Sequence, residues 1–128
     1  ITLDQGINFV LSSASLMRGG EIFVPKIPSM KIIELMDALA PGVPKKLIGL
    51  RPGEKVHEVL ISEEDTAAVL ELPDRFIICP PQDPEVQKKH EQNGAKAAAS
   101  DFRYASNNNT QWLDSMALQR LLDGGKAI

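Results

Sequence analysis

The run Glu21-Ile22-Phe23-Val24-Pro25 constrains this chain more than any other stretch. It is β-branched and aromatic, closed by Gly19-Gly20 before it and by Pro25 and Pro28 after it, so it reads as a buried strand feeding a rigid turn. Ser29 then offers an N-cap for a helix whose apolar stripe is Ile32, Ile33, Met36 and Leu39, and Pro41-Gly42 ends it. Lys46-Leu47-Ile48-Gly49-Leu50 follows as a second strand. Strand, helix, strand over residues 21–50 is the pattern of a βα unit, which sends its two strands the same way. The middle of the chain is therefore mixed α and β.

The flanks add further elements. Thr2 and Gln5 form a capping box, after which Leu3, Ile7, Val10, Leu11 and Ala14 share one helix face and Arg18-Gly19-Gly20 ends the helix. A first residue of Ile1, with a helix beginning almost at once, fits a fragment of a longer polypeptide. Pro52 can open a short helix through His57 to Leu60. Residues 66–72 and 75–79, joined by Pro73-Asp74, read as a hairpin. Residues 80–100 hold Pro80, Pro81, Pro84 and few apolar groups, which predicts a long loop or disorder. Leu113, Asp114 and Leu118 form a hydrophobic staple and cap for a last helix that Gly124-Gly125 stops.

Composition narrows the partners. With 14 Lys+Arg against 17 Asp+Glu and a formal net charge of -3, there is no cationic field for nucleic acid or anionic lipid. The apolar runs are far short of the ~20 residues that span a bilayer, and a cytoplasmic protein is expected. The single Cys79 closes no intrachain disulfide, and with only His57 and His90 beside it no zinc spacing can be assembled. The length suits one domain over residues 1–128.

No dinucleotide fingerprint, Walker loop, nucleophile elbow or zinc helix motif occurs, and Tyr104 lacks a Lys four residues on. Arg51-Pro52-Gly53-Glu54-Lys55 is the segment that stands out. An Arg fork matches diphosphate oxygens, a carboxylate three residues on can accept from a vicinal diol, and Pro-Gly fixes the turn that aims both. By pattern alone a solvated surface turn with a weak ion pair explains it more simply. His57 reads as structural or exposed, Asn107-Asn108-Asn109 as a turn, Lys26 and Lys31 as solvated, and Trp112 as a core or interface anchor.

The strings from Gly19-Gly20-Glu21-Ile22-Phe23-Val24-Pro25 through Lys31, and from Ile48-Gly49-Leu50-Arg51-Pro52-Gly53-Glu54-Lys55 through Glu58, occur in this order. Together with Tyr104 to Asn109 and Gln111-Trp112-Leu113, they closely resemble the C-terminal part of bacterial UDP-N-acetylglucosamine 4,6-dehydratases. These belong to the polysaccharide-biosynthesis branch of the extended short-chain dehydrogenase/reductase family, and the match is to the C5-inverting subgroup that feeds pseudaminic acid and other surface sugars. The resemblance implies an α+β substrate-binding lobe. In the family, an N-terminal Rossmann half holds NADP and the catalytic Tyr, Lys and Asp. Carried onto this sequence, Arg51 contacts the diphosphate and Glu54 the uridine ribose, whereas no catalytic, cofactor-binding or metal-binding residue falls in this chain. The partners implied are the UDP-sugar, the chain's own N-terminal Rossmann domain and further copies of itself in a homo-oligomer; alone, the chain is expected to be inactive. A related nucleotide-sugar epimerase, a retaining dehydratase and a non-catalytic assembly module are the alternative readings.

Overall fold

The structure, a computed structural model, describes residues 1–123, except for the side chains of Thr66 and Ala67. Helices and short strands alternate, the α+β class expected from the sequence. The chain divides into two compact units interleaved in sequence: Ile1–Ile27 with Val59–Tyr104, and Pro28–Glu58 with the chain from Ala105 on.

The first unit begins with helix α1, Leu3–Leu16, capped as expected: the Thr2 hydroxyl accepts from Gln5 N–H and the Gln5 side chain accepts from Thr2 N–H. Its apolar face, Leu3, Ile7, Val10 and Leu11, is exposed, with Leu3 80% accessible, and only Ser13 of the helix is buried. Strand β1, Ile22–Pro25, comes next. After the second unit's first segment the chain returns as β2, Val59–Ile61, where a short helix was expected. A 3-10 turn over Glu63–Ala68 leads into β3, Val69–Glu71, and β4, Arg75–Ile78, the expected hairpin with its first arm shortened. Its register sets Val69 against Ile78 and Leu70 against Ile77.

Residues 80–100 are ordered, contrary to the loop expected there. Asp83 caps helix α3, Pro84–Gln92, with its carboxylate accepting from Glu85 N–H, and Pro84 occupies the helix start, where a missing N–H costs nothing. Buried Pro80, Val86, His90 and Ala95 anchor this otherwise polar segment. Strand β5, Lys96–Ala97, then joins the sheet, and β6, Tyr104–Ala105, pairs with β2.

The four-stranded sheet runs in the order β1-β4-β3-β5 and is antiparallel at every pairing. The parallel βα unit expected over residues 21–50 does not form. Strand β1 finds its ladder on β4, with Ile22 opposite Ile78, and residues 46–50 are not a strand. Side chains alternate between faces. Val24, Val69 and Phe76 pack with Ile61 and Tyr104 in one cluster; Leu70 and Ile77 pack with Cys79, Val86 and Ala95 in the other.

In the second unit, helix α2, Ile32–Leu39, starts at Lys31 without a side-chain cap. Ser29 is engaged elsewhere: its N–H donates to Gln111 carbonyl and its carbonyl accepts from Leu113 N–H. Helix α4, Ser115–Leu122, is capped by Asp114, whose carboxylate accepts from Ala117 N–H, and it packs on α2. The expected stop at Gly124-Gly125 lies outside the described residues. Among the described residues no helix is long and apolar enough to cross a membrane.

Candidate functional site

Arg51 and Glu54 end up side by side because of the two residues between them. Pro52 fixes φ at the first central position of a tight turn, Gly53 takes φ +84° at the second, and Glu54 N–H donates to Arg51 carbonyl at 3.0 Å. That combination is the signature of a type II turn. Arg51 N–H in return donates to Glu54 Oε2 at 2.7 Å. The short helix expected from Pro52 is absent, so no helix dipole assists the site.

Arg51 Nε stands 3.9 Å from Glu54 Oε1, and the two side chains are 73% and 48% exposed. A contact that loose and that wet contributes little to stability. Its chemical use is different. The guanidinium keeps its terminal nitrogens presented to solvent as a fork, while Glu54, held by one oxygen to the backbone, has the other available to accept from hydroxyls. The turn can therefore offer two donors to a diphosphate and one acceptor to a diol from a preformed backbone.

The remaining candidates separate clearly. His57 is exposed and stands two residues before β2. The Asn run does the work of a turn: Asn108 Oδ1 accepts from Ala105 N–H at 2.8 Å, and Asn109 Oδ1 accepts from Gln111 N–H at 3.0 Å. Trp112, expected in a core or interface, is 49% exposed and donates its indole N–H to Asn109 carbonyl. With Lys31, Glu34, Leu113 and Asp114 it lines an open cleft of about 360 Å³ that does not include Arg51 or Glu54. Lys26, expected to be solvated, instead pairs with Glu71 at 2.6 Å over the Phe76 ring. Lys31 is solvated as expected.

Two buried polar clusters in the first unit escaped sequence reasoning. Glu21 has a fully buried side chain and accepts from Arg18 N–H at 2.7 Å and Gly19 N–H at 2.6 Å, with His90 Nε2 2.8 Å away. Burial alone would raise its pKa, but the hydrogen bonds from His90 and the loop amides outweigh burial and hold the carboxyl at about 2. Burial, helped by the nearby Glu21 and Glu91 carboxylates, pushes the Cys79 thiol up to about 11, leaving it a poor nucleophile. In the second cluster, buried Arg75 donates to Asp74, to Ser13 Oγ and to Ser12 Oγ, each of the latter two at 2.7 Å, and lies over Phe9. Both clusters join residues 62 or more apart in sequence, so no local spacing could have signalled them.

Residues 1–80 match the family profile described as polysaccharide biosynthesis protein. The chain belongs to that family. Relatives similar to this chain include the UDP-N-acetylglucosamine 4,6-dehydratase (inverting) of Campylobacter jejuni strain 81-176, 41% identical over 128 residues, which is 96% of this chain and 38% of the relative. The UDP-glucose 4-epimerase of Rickettsia canadensis is 39% identical over 82 residues, 61% of this chain and 24% of that relative. Among solved structures, Pen from Bacillus thuringiensis superposes with a TM-score of 0.74 at 27% identity, covering 97% of this chain and 36% of Pen. The chain thus spans little more than a third of the length of the Campylobacter relative it matches.

Proposed function

We propose that this chain is the UDP-sugar-binding portion of an NADP-dependent, C5-inverting UDP-N-acetylglucosamine 4,6-dehydratase, a lyase, and that Arg51 grips the diphosphate while Glu54 holds the uridine ribose. The observation that carries the reading is the preformed Arg51-Pro52-Gly53-Glu54 turn in a chain 41% identical over 96% of its length to an enzyme named for that reaction. Bidentate geometry suits the guanidinium to paired phosphate oxygens, and the carboxylate is an acceptor for two neighbouring hydroxyls. Cytoplasmic residence, a supply of pseudaminic acid precursors and assembly into homo-oligomers belong to the same proposal and follow from the family resemblance.

The residues present do not fit the cofactor. A dinucleotide's pyrophosphate is cradled by a glycine-rich loop leaving a strand and entering a helix, whereas Gly19 and Gly20 lie at the entrance to β1. In this proposal NADP is therefore held by the remainder of a longer polypeptide, and this chain's part is to bind and orient the UDP-sugar.

Calorimetric titration of the full-length polypeptide with UDP tests the reading. Arg51→Ala should weaken UDP by roughly ten- to a hundredfold, the worth of one charge-assisted contact. Arg51→Lys should also lose affinity, because a point-charge ammonium cannot replace the fork. Glu54→Gln should weaken UDP while sparing inorganic pyrophosphate. Wild-type affinity in all three variants would return the turn to a solvated surface feature. The 39% identity to an epimerase over 61% of the chain favours a second reading, epimerisation at the same UDP grip; product analysis with UDP-N-acetylglucosamine separates an epimer from a dehydrated 4-keto sugar.

A further inference from the structure

Residues 46–50 carry a strand's side chains without a strand's partner. Among the described residues no hydrogen bond involves their backbone groups, Leu47 is 92% exposed, and Ile48 and Leu50 are exposed beside it. Strand propensity measures how well side chains fit a half-covered pleated surface, so it is expressed only where a ladder exists. Bare backbone next to three bare apolar side chains is an edge that proteins ordinarily cover.

The segment is held at both ends. Lys45 is ion-paired with Asp37 of α2, and Arg51 is fixed in its turn. Gly49, at φ +74°, occupies the backbone conformation that a glycine takes at a bulge in a paired strand. From this we infer that residues 46–50 accept an extended apolar strand from the part of the longer polypeptide outside these 128 residues, and that the pairing sets the direction in which Arg51 presents its guanidinium. The second half of this inference rests on the proposed UDP-sugar site; the first does not.

Length and charge identify the occupant. The Campylobacter relative extends far beyond the 38% of its chain that this sequence matches, so a strand from the same polypeptide has a source. A second copy fits poorly. Antiparallel self-pairing centred on Ile48 would set Lys45 opposite Arg51, and like charges facing each other across a ladder are destabilising. A carboxylate beside an apolar centre is the chemistry that Lys46 would favour in the partner strand, leaving the Arg51 guanidinium for the diphosphate.

Hydrogen exchange of the full-length polypeptide, read by mass spectrometry over residues 46–50, tests the docking without any substitution. The amides of Leu47 to Leu50 should exchange at least about a hundredfold more slowly than those of an unstructured peptide, as ladder amides do. Exchange at the unstructured rate overturns the docking. For the coupling to Arg51, Ile48→Pro, which disrupts the ladder, should raise the Kd for UDP about tenfold in a protein that still folds by circular dichroism. Unchanged affinity with lost protection refutes the coupling and leaves the docking standing. If the wild-type protein binds no UDP, the site reading fails while the exchange data still decide the docking.

Discussion

Replacing Glu21 with Gln keeps the shape of the side chain and removes its charge, which makes it the sharpest probe of the first unit. Oε1 accepts from Arg18 N–H and faces His90 Nε2, while Oε2 accepts from Gly19 N–H. Gln supplies one oxygen and one NH2 group, so at least one backbone N–H must face another donor inside a site with no water access. Lowering the carboxyl from 4.5 to about 2 on folding corresponds to about 3 kcal/mol of stability at neutral pH. Because the folded value lies below the unfolded one, that stability is fully present above pH 4.5 and is lost as pH falls toward 2. Urea denaturation of both proteins at a series of pH values should show Glu21→Gln weaker by about 1–3 kcal/mol at pH 7, the range for an unpaired buried polar group, with the gap closing below pH 4.5. Asp65, Asp74 and Glu85 also have lowered values, but they are common to both proteins, so the difference isolates Glu21. A gap under about 1 kcal/mol at pH 7, or parallel acid slopes, would refute the reasoning.

Arg75→Met should destabilise by about 3 kcal/mol in chemical denaturation, because Ser12, Ser13 and Asp74 all lose their shared donor; Ser13→Ala should cost about 1 kcal/mol. Gly53→Ala, at φ +84°, should strain the turn by roughly 1 kcal/mol and weaken UDP in calorimetry without touching either side chain of the grip. The 128-residue chain expressed alone should self-associate in sedimentation experiments through bare apolar side chains of α1 such as Leu3, Val10 and Leu11; a monomer at high concentration would count against it.

Local chemistry was legible from the amino-acid sequence. The Thr2-Gln5 capping box, the Asp114 cap and the Pro73-Asp74 hairpin each depend on residues within a few positions of one another; both caps formed as read, and the hairpin formed with its first arm shortened to Val69–Glu71. Arg51 and Glu54 likewise meet because Pro52 and Gly53 sit between them. Partnership across the chain was beyond that reach. The strand at residues 22–25 was evident, yet its antiparallel pairing with Arg75–Ile78 was decided by which ladder was available. Residues 80–100 looked too polar to order until the buried Val86 and His90 of α3, and a His90–Glu21 contact 69 residues apart in sequence, held them. Residues 46–50 kept a strand's composition and found no strand. Capping and turn energies are short-ranged and can be read along the chain, whereas pairing and burial depend on surfaces that exist only after distant segments have met.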